Sequence, residues 1–153
     1  MSEQPILVAY DGSEHAKAAI EQAAAVLAPR PAVVLLAWQP IETLPGFALS
    51  GGFGGVDIAS VDEQTQQAAA ATAAEGAELA RQHGLTAEPQ ALRAVGPLWQ
   101  AIVRRADELD AAVIVLGSRG LTGVRHALLG SVSEGVARHA DRPTLIVHPP
   151  AER

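Results

Sequence analysis

Three short apolar runs constrain what this chain can fold into. Residues 6–10 (ILVAY), 32–38 (AVVLLAW) and 112–116 (AVIVL) contain almost no polar residues. A strand with one face in water alternates apolar and polar residues, whereas a strand of a parallel sheet that is covered by helices on both faces does not. The runs therefore predict buried strands of a parallel sheet.

Helical patterns separate the predicted strands. Apolar residues recur at three- and four-residue spacing over 14–27 and again over 98–109, as in helices with one buried face. Between these segments, Asp62 is a candidate cap for a long alanine-rich helix that runs to about His83.

Capping residues mark the start of the first helix and that of a fourth one. Ser13 follows the first strand and can cap the first helix. Ser131-x-x-Glu134 fits a capping box, in which a serine and a glutamate satisfy the first amides of a helix. That pattern predicts a fourth helix over 131–140.

Two weaker strands complete the alternation. Residues 85–93 are mixed in character and contain Pro89, which predicts an edge strand because proline cannot donate to a sheet. Residues 143–148 (PTLIVH) predict a last strand. Five strands and four helices in strict alternation predict a single domain over 1–153 with an α/β fold. We expect three α/β/α layers around a five-stranded parallel sheet with right-handed crossovers.

Residues 39–60 interrupt this rhythm. Two prolines and five glycines fall within the stretch, and no regular element tolerates that composition. We expect a long flexible loop, which is either a binding lid or a variable surface excursion.

Composition excludes several classes of protein. At 153 residues and 48% apolar, the chain can bury the core of one domain. The absence of cysteine excludes disulfide staples, thiolate metal sites and cysteine nucleophiles. A net charge of −6 disfavours a nucleic-acid partner, and no apolar stretch is long enough to span a membrane. Since no signal peptide is visible, we expect a cytoplasmic protein.

Candidate functional residues follow two of the predicted strands. The first strand ends in Asp11-Gly12-Ser13, and the fourth ends in the glycine turn 117–120 (GSRG). Ligands of open parallel sheets bind beyond the carboxyl ends of the strands, where the strand order reverses. If these two strands are neighbours, a carboxylate and a glycine turn face each other there.

A second glycine position adds a feature that favours phosphate. Gly130-Ser131 stands at a helix start, where free N–H groups and the positive end of the helix dipole attract anions. Arg119, Arg125 and His126 form the local concentration of basic side chains and can offset the charge of a triphosphate.

Structural roles compete with these functional ones. Asp11 can be a turn former or a helix cap, and Ser131 with Glu134 can be a capping box alone. The GxxxxGK[ST] phosphate loop and the GxSxG nucleophile pattern are absent, and GxGxxG does not follow the first strand. A hydrolase of a standard type is therefore poorly supported.

The spacing of the glycines resembles that of the universal stress protein family. Its nucleotide-binding members carry GxxG, nine residues and then G[ST]. Here the turn 117–120, the nine residues 121–129 and Gly130-Ser131 reproduce that pattern. ILVAYDGS near one end and RPTLIVHPP near the other are also similar to family sequences, so the resemblance covers essentially the whole chain.

The resemblance implies a Rossmann-like sheet of order 3-2-1-4-5, similar to that of the adenine nucleotide alpha hydrolases, with ATP across the ends of strands one and four. Ala9 and Asp11 would line adenosine and ribose, and the backbone near Ala37 would meet adenine. Magnesium would arrive with the nucleotide, with Asp11 as a candidate ligand. The residues implied to hold ribose and phosphates are Leu116, Gly117, Arg119, Gly120, Gly130, Ser131, Val132 and Ser133.

The same resemblance implies a function in regulation or stress response. ATP binding would be the activity, with at most slow hydrolysis or autophosphorylation, in a homodimer formed through strand 144–147. One alternative is an interaction or chaperone-like dimer of the same fold that binds no nucleotide. Another is an ATP pyrophosphatase, suggested by 50–52 (SGG), although that motif should follow the first strand and here follows the second.

Overall fold

Five strands and four α-helices alternate along the described part of the chain, as the sequence predicts. The computed structural model describes residues 3–44, 46–47, 57–119 and 129–149. A short 3-10 turn lies at Ile41–Thr43 after the second strand. The elements are β1 (Ile6–Ala9), α1 (Glu14–Leu27), β2 (Pro31–Trp38), α2 (Ile58–Gln82), β3 (Thr86–Arg93), α3 (Leu98–Glu108), β4 (Val113–Gly117), α4 (Ser131–His139) and β5 (Thr144–Val147).

The sheet is parallel throughout and has the order β3-β2-β1-β4-β5. β1 lies at its centre, with Val8 opposite Val34 of β2 on one side and opposite Val115 of β4 on the other. The strand order therefore reverses between β1 and β4, which places the ends of these two strands side by side. The predicted order and the predicted edge position of β3 are both confirmed.

The two faces of the sheet carry separate cores. Val8 packs into a cluster with the residues of α1 and α2, whereas Leu7 packs into a cluster with the residues of α3 and α4. Ile6, Leu7 and Val8 all have no exposed surface, and burying each such side chain stabilises the fold by about 1.5–3 kcal/mol. Helices on both faces explain why these strands show no polar alternation.

The caps of two helices differ in how well the sequence predicted them. Ser13 caps α1 as expected, since its hydroxyl accepts a hydrogen bond from the Ala16 N–H at 3.1 Å. The predicted cap of α2 is wrong, because that helix begins at Ile58 and Asp62 lies inside it. The Asp62 carboxylate instead accepts from the Ile41 N–H at 3.2 Å, which joins α2 to the 3-10 turn.

The predicted capping box of α4 is also wrong. Gly130 occupies the capping position and makes no side-chain hydrogen bond, while Ser131 is the first helical residue. Glu134 does not reach back to the helix start but forms an ion pair with Arg138 at 2.9 Å. The serine stands one position too late in the chain to cap the helix.

Part of the predicted loop 39–60 is helical. The 3-10 turn and the first residues of α2, from 58 onward, fall within it. Residues 45 and 48–56 lie outside the described residues, so the expectation of a lid is neither confirmed nor contradicted.

Tyr10, the only tyrosine of the chain, links pH to stability. It follows β1 and is buried. Its ring packs so closely against Gly76 that a Cβ added to Gly76 would lie 2.7 Å from the ring. Burial raises the pKa of the Tyr10 phenol above its ordinary value of 10.0. The folded state therefore holds this proton more tightly than the unfolded state does.

We predict that the free energy of unfolding falls as the pH rises from about 10 through the raised pKa of Tyr10. Urea denaturation over this range measures the fall, and tyrosinate absorbance reports the ionisation itself. Tyr10→Phe should make the fall less steep because it removes the titrating group. Equal slopes in the two proteins would contradict the prediction.

Candidate functional site

β1 and β4 are neighbours in the sheet, so the predicted turns that follow them lie together at the carboxyl ends of the strands. Asp11 follows β1, is half-buried, and accepts a hydrogen bond from the Ser13 N–H at 2.9 Å through its Oδ1 atom. Gly12 adopts a left-handed φ of 83°, which glycine tolerates without strain. Asp11 therefore shapes the turn between β1 and α1, whatever else it binds.

Two hydrogen bonds hold the start of α4 against the end of β4. The Gly130 N–H donates to the Ser118 carbonyl at 2.7 Å. The Ser133 hydroxyl donates to the Gly117 carbonyl at 2.7 Å, and Ser133 is only 4% exposed. The helix terminus therefore has a fixed position at the strand end, set by groups that the sequence supplies on both sides.

The first amides of α4 point away from the helix body. The helix makes its first backbone bond from the Glu134 N–H to the Gly130 carbonyl at 2.9 Å. The amides of Ser131, Val132 and Ser133 precede that bond, where no helical carbonyl is within reach. Because Gly130 has no side chain to cap them, these amides and the positive end of the helix dipole form a surface suited to an anion.

Four of the predicted site residues share one face of the sheet. Ala9, Ala37, Leu116 and Val132 all belong to, or pack against, the cluster on the α3 and α4 side. Ala9 and Ala37 lie on adjacent strands and are half-buried. Ala9 and Ala37 therefore present small apolar side chains on the face of the sheet that α3 and α4 cover.

The backbone of Ala37 faces the end of β1. The Leu35 carbonyl accepts from the Tyr10 N–H at 2.8 Å on the β1 side, whereas the Trp38 carbonyl accepts from the Ala94 N–H at 2.7 Å on the β3 side. Alternate residues of a strand direct their N–H and C=O groups to the same neighbour. Ala37 thus directs both groups to the β1 side, beyond Ala9, the last residue of the β1 pairing.

Gly117 has a packing role that the sequence did not reveal. A Cβ built on it would lie 2.8 Å from the backbone oxygen of His15, in the first turn of α1. Only glycine lets this turn approach so closely to β4. The missing side chain faces α1, and the carbonyl of Gly117 is occupied by Ser133.

Ser118 and His15 join the site from positions that sequence reasoning did not single out. Ser118 is 2% exposed, and its hydroxyl lies 3.5 Å from His15 Nδ1. No spacing in the sequence connects residues so far apart along the chain. The sequence feature that points to these two residues is the glycine turn, because its serine needs polar partners once it is buried.

The basic residues predicted for the site are only partly described. Arg119 is half-buried directly after Ser118. Gly120, Arg125 and His126 lie outside the described residues. Within the described ranges, no group of three histidine, aspartate or glutamate side chains is placed to hold a metal ion.

Sequence comparison identifies relatives along nearly the whole chain. The model of the universal stress protein family matches residues 3–148. A universal stress protein from Thermus aquaticus, encoded in the 3′ region of a QAH/OAS sulfhydrylase gene, is 34% identical over 148 residues, which is 93% of this chain and 96% of that protein.

Solved structures share the fold. Protein MJ0577 of Methanocaldococcus jannaschii superposes with a TM-score of 0.79 at 21% identity, covering 99% of this chain and all of that one. A universal stress protein solved in complex with cAMP gives a TM-score of 0.62 at 28% identity over 97% and 98% of the two chains. The Archaeoglobus fulgidus protein solved with dAMP gives 0.62 at 26% identity over 95% and 98%.

Among the described residues, no helix is both long enough and apolar enough to cross a membrane.

We predict that Ser133→Ala lowers the free energy of unfolding by about 1–2 kcal/mol, because it removes a buried hydrogen bond and leaves the Gly117 carbonyl without that donor. Ser131→Ala, at an exposed position of the same turn, should change it by less than about 0.5 kcal/mol. Urea denaturation of both variants checks the difference. Equal losses would show that Ser133 does not anchor the helix.

Proposed function

Because the chain belongs to the universal stress protein family, we propose that it binds an adenine nucleotide at the carboxyl ends of β1 and β4 and acts as a regulatory or stress-response module. The observation that carries the proposal is the uncapped start of α4, held by Gly130 and Ser133 against the end of β4. The relatives solved with cAMP and dAMP support adenine as the base.

Each part of the nucleotide has a counterpart in the described residues. The amides of Ser131, Val132 and Ser133 would donate to phosphate oxygens, since they precede the first hydrogen bond of the helix and lie at the positive end of its dipole. The N–H and C=O groups of Ala37 would hydrogen-bond the edge of adenine. Ala9 would lie against adenosine, and Asp11 would accept from ribose hydroxyls.

We further propose that ATP with Mg²⁺ is the preferred form. The family spacing of GxxG, nine residues and G[ST] supports a site that accommodates more than one phosphate group. Arg119, together with Leu116 and Gly117 of the same strand end, would complete the phosphate side, and the family pattern implies the same role for Gly120. Mg²⁺ keeps several waters and binds mainly to phosphates, so Asp11 would be its one protein ligand here.

The fifth strand supports a homodimer. β5 pairs with β4 on one side, and in the described part of the chain no strand pairs with its other side. An edge of this kind is a template for another strand. Pairing of Thr144–Val147 with the same strand of a second copy would bury the edge and form a symmetric interface.

We predict that Gly130→Val weakens Mg-ATP binding about 10–100-fold, the cost of losing one or two hydrogen bonds to a charged group. The isopropyl group would occupy the approach to the first amides of α4. Gly130 has extended backbone angles, φ −72° and ψ 165°, which valine also adopts, so the fold should persist. Calorimetric titration measures the affinity, and circular dichroism confirms folding.

Gly84→Val is the matched control for this substitution. Gly84 lies between α2 and the start of β3, away from the start of α4, and has a φ of 99°. Valine at this position is strained and should cost more stability than valine at Gly130. Its folded form should nevertheless bind Mg-ATP normally. If Gly130→Val binds like the unmodified chain, the phosphates do not lie at the start of α4.

We predict that Asp11→Asn weakens Mg-ATP binding about fivefold, because a charge-assisted hydrogen bond becomes a neutral one. Asparagine keeps the oxygen that accepts from the Ser13 N–H, so the melting temperature should hardly change. Asp11→Ala removes both functions and should lose affinity together with about 1 kcal/mol of stability. Full affinity in Asp11→Asn would leave Asp11 with the turn role alone.

A further inference from the structure

A groove lined by arginines lies at the β3 edge of the sheet, away from β4 and the start of α4. It runs between the end of β3 and the outer face of α3 and encloses about 190 Å³. Leu92 and Ala101 contribute apolar surface, and Arg93, Arg104 and Arg105 contribute charge. None of these residues belongs to the proposed nucleotide site.

The charge of the groove is unusual for this chain. Three arginines and one glutamate, Glu108, line it, whereas the whole chain carries a net charge of −6. Arg105 is committed to Gln90 and Glu108, each at 2.9 Å. Arg93 forms a loose ion pair with Glu42 at 3.6 Å. Arg104 is exposed and has no acidic partner among the described residues.

Part of the outer edge of β3 is closed to a further strand. Alternate residues direct their backbone groups toward β2, as the bonds from the Thr86 and Ala94 N–H groups to residues 30 and 38 show. The backbone N–H and C=O groups of the residues between them point away from β2. Of these, Ala87 has its carbonyl bound by Arg81 Nε at 3.0 Å, and Pro89 has no N–H to offer.

In the described part of the chain, no strand pairs with the remaining part of that edge, which lies beside the arginines. Residues 91 and 93 follow Pro89 in the outward register, so the amide and carbonyl of Ala91 and Arg93 face away from β2. Val95, just beyond the strand, is 75% exposed. Backbone donors and acceptors and an exposed apolar side chain thus lie within a few residues of one another, beside the groove that Arg104 also lines.

We propose that this groove binds an extended, acidic segment of a partner protein. The segment adds a short strand to residues 91–93, sets its carboxylates against Arg104 and Arg93, and packs an apolar side chain on Val95. Backbone pairing at a sheet edge provides affinity, and charge complementarity selects the partner. Arginine suits this role because its planar fork matches a carboxylate.

The test uses a fluorescein-labelled peptide of sequence Ser-Glu-Val-Asp-Glu-Leu-Glu-Ser and its neutral counterpart, in which Gln and Asn replace Glu and Asp. Fluorescence anisotropy should show saturable binding of the acidic peptide that weakens with added salt, and weaker binding of the neutral one. Arg104→Glu should weaken binding about tenfold. Arg138→Glu, on the outer face of α4, is the charge-matched control and should leave binding unchanged.

Ala91→Pro tests the backbone pairing separately from charge. It removes one outward N–H from an edge strand, a position where proline is tolerated, and it should weaken binding without unfolding the chain. Circular dichroism checks the fold of every variant. The proposal is overturned if the acidic peptide does not bind, if the neutral one binds equally well, or if Arg104→Glu and Ala91→Pro both leave binding intact. Nucleotide titration of the same variants reports on the other site independently.

Discussion

The attachment of α4 to β4 is the constraint on which the candidate site depends. Ser133 and Gly130 fix the helix start to the carbonyls of Gly117 and Ser118, and Val136 is fully buried in the core on the same face. A helix start that moved by even one ångström would lose its alignment with the strand ends. The site therefore derives its geometry from these two hydrogen bonds and from the core that packs beneath the helix.

Gly117 shows how one residue serves both faces of the sheet. Its carbonyl anchors α4 on one face, and its missing side chain admits the first turn of α1 on the other. The glycine pattern that resembles a nucleotide-binding motif is thus partly a packing requirement. A substitution at Gly117 would disturb α1 and α4 together, so loss of binding in such a variant could not be assigned to the ligand contact alone.

The sequence predicted the elements well and the site only in part. Apolar runs and helical periodicity reveal burial on both faces, so every strand and helix was predicted within a few residues. The strand order came from the family resemblance, because periodicity contains no information on which strands are neighbours. The caps predicted at Asp62 and Ser131 failed for different reasons. Asp62 lies inside α2 and accepts from the amide of Ile41, whereas Ser131 stands one position past the cap of α4 and is exposed.

The central claim is that the start of α4 forms part of a nucleotide site. Calorimetric titration of nucleotide-free protein with Mg-ATP, alongside AMP and cAMP, tests it most directly. The account predicts saturable binding at a single site per chain with micromolar affinity, tightest for Mg-ATP. Absence of binding by all three nucleotides would contradict it and would favour an interaction dimer of the same fold.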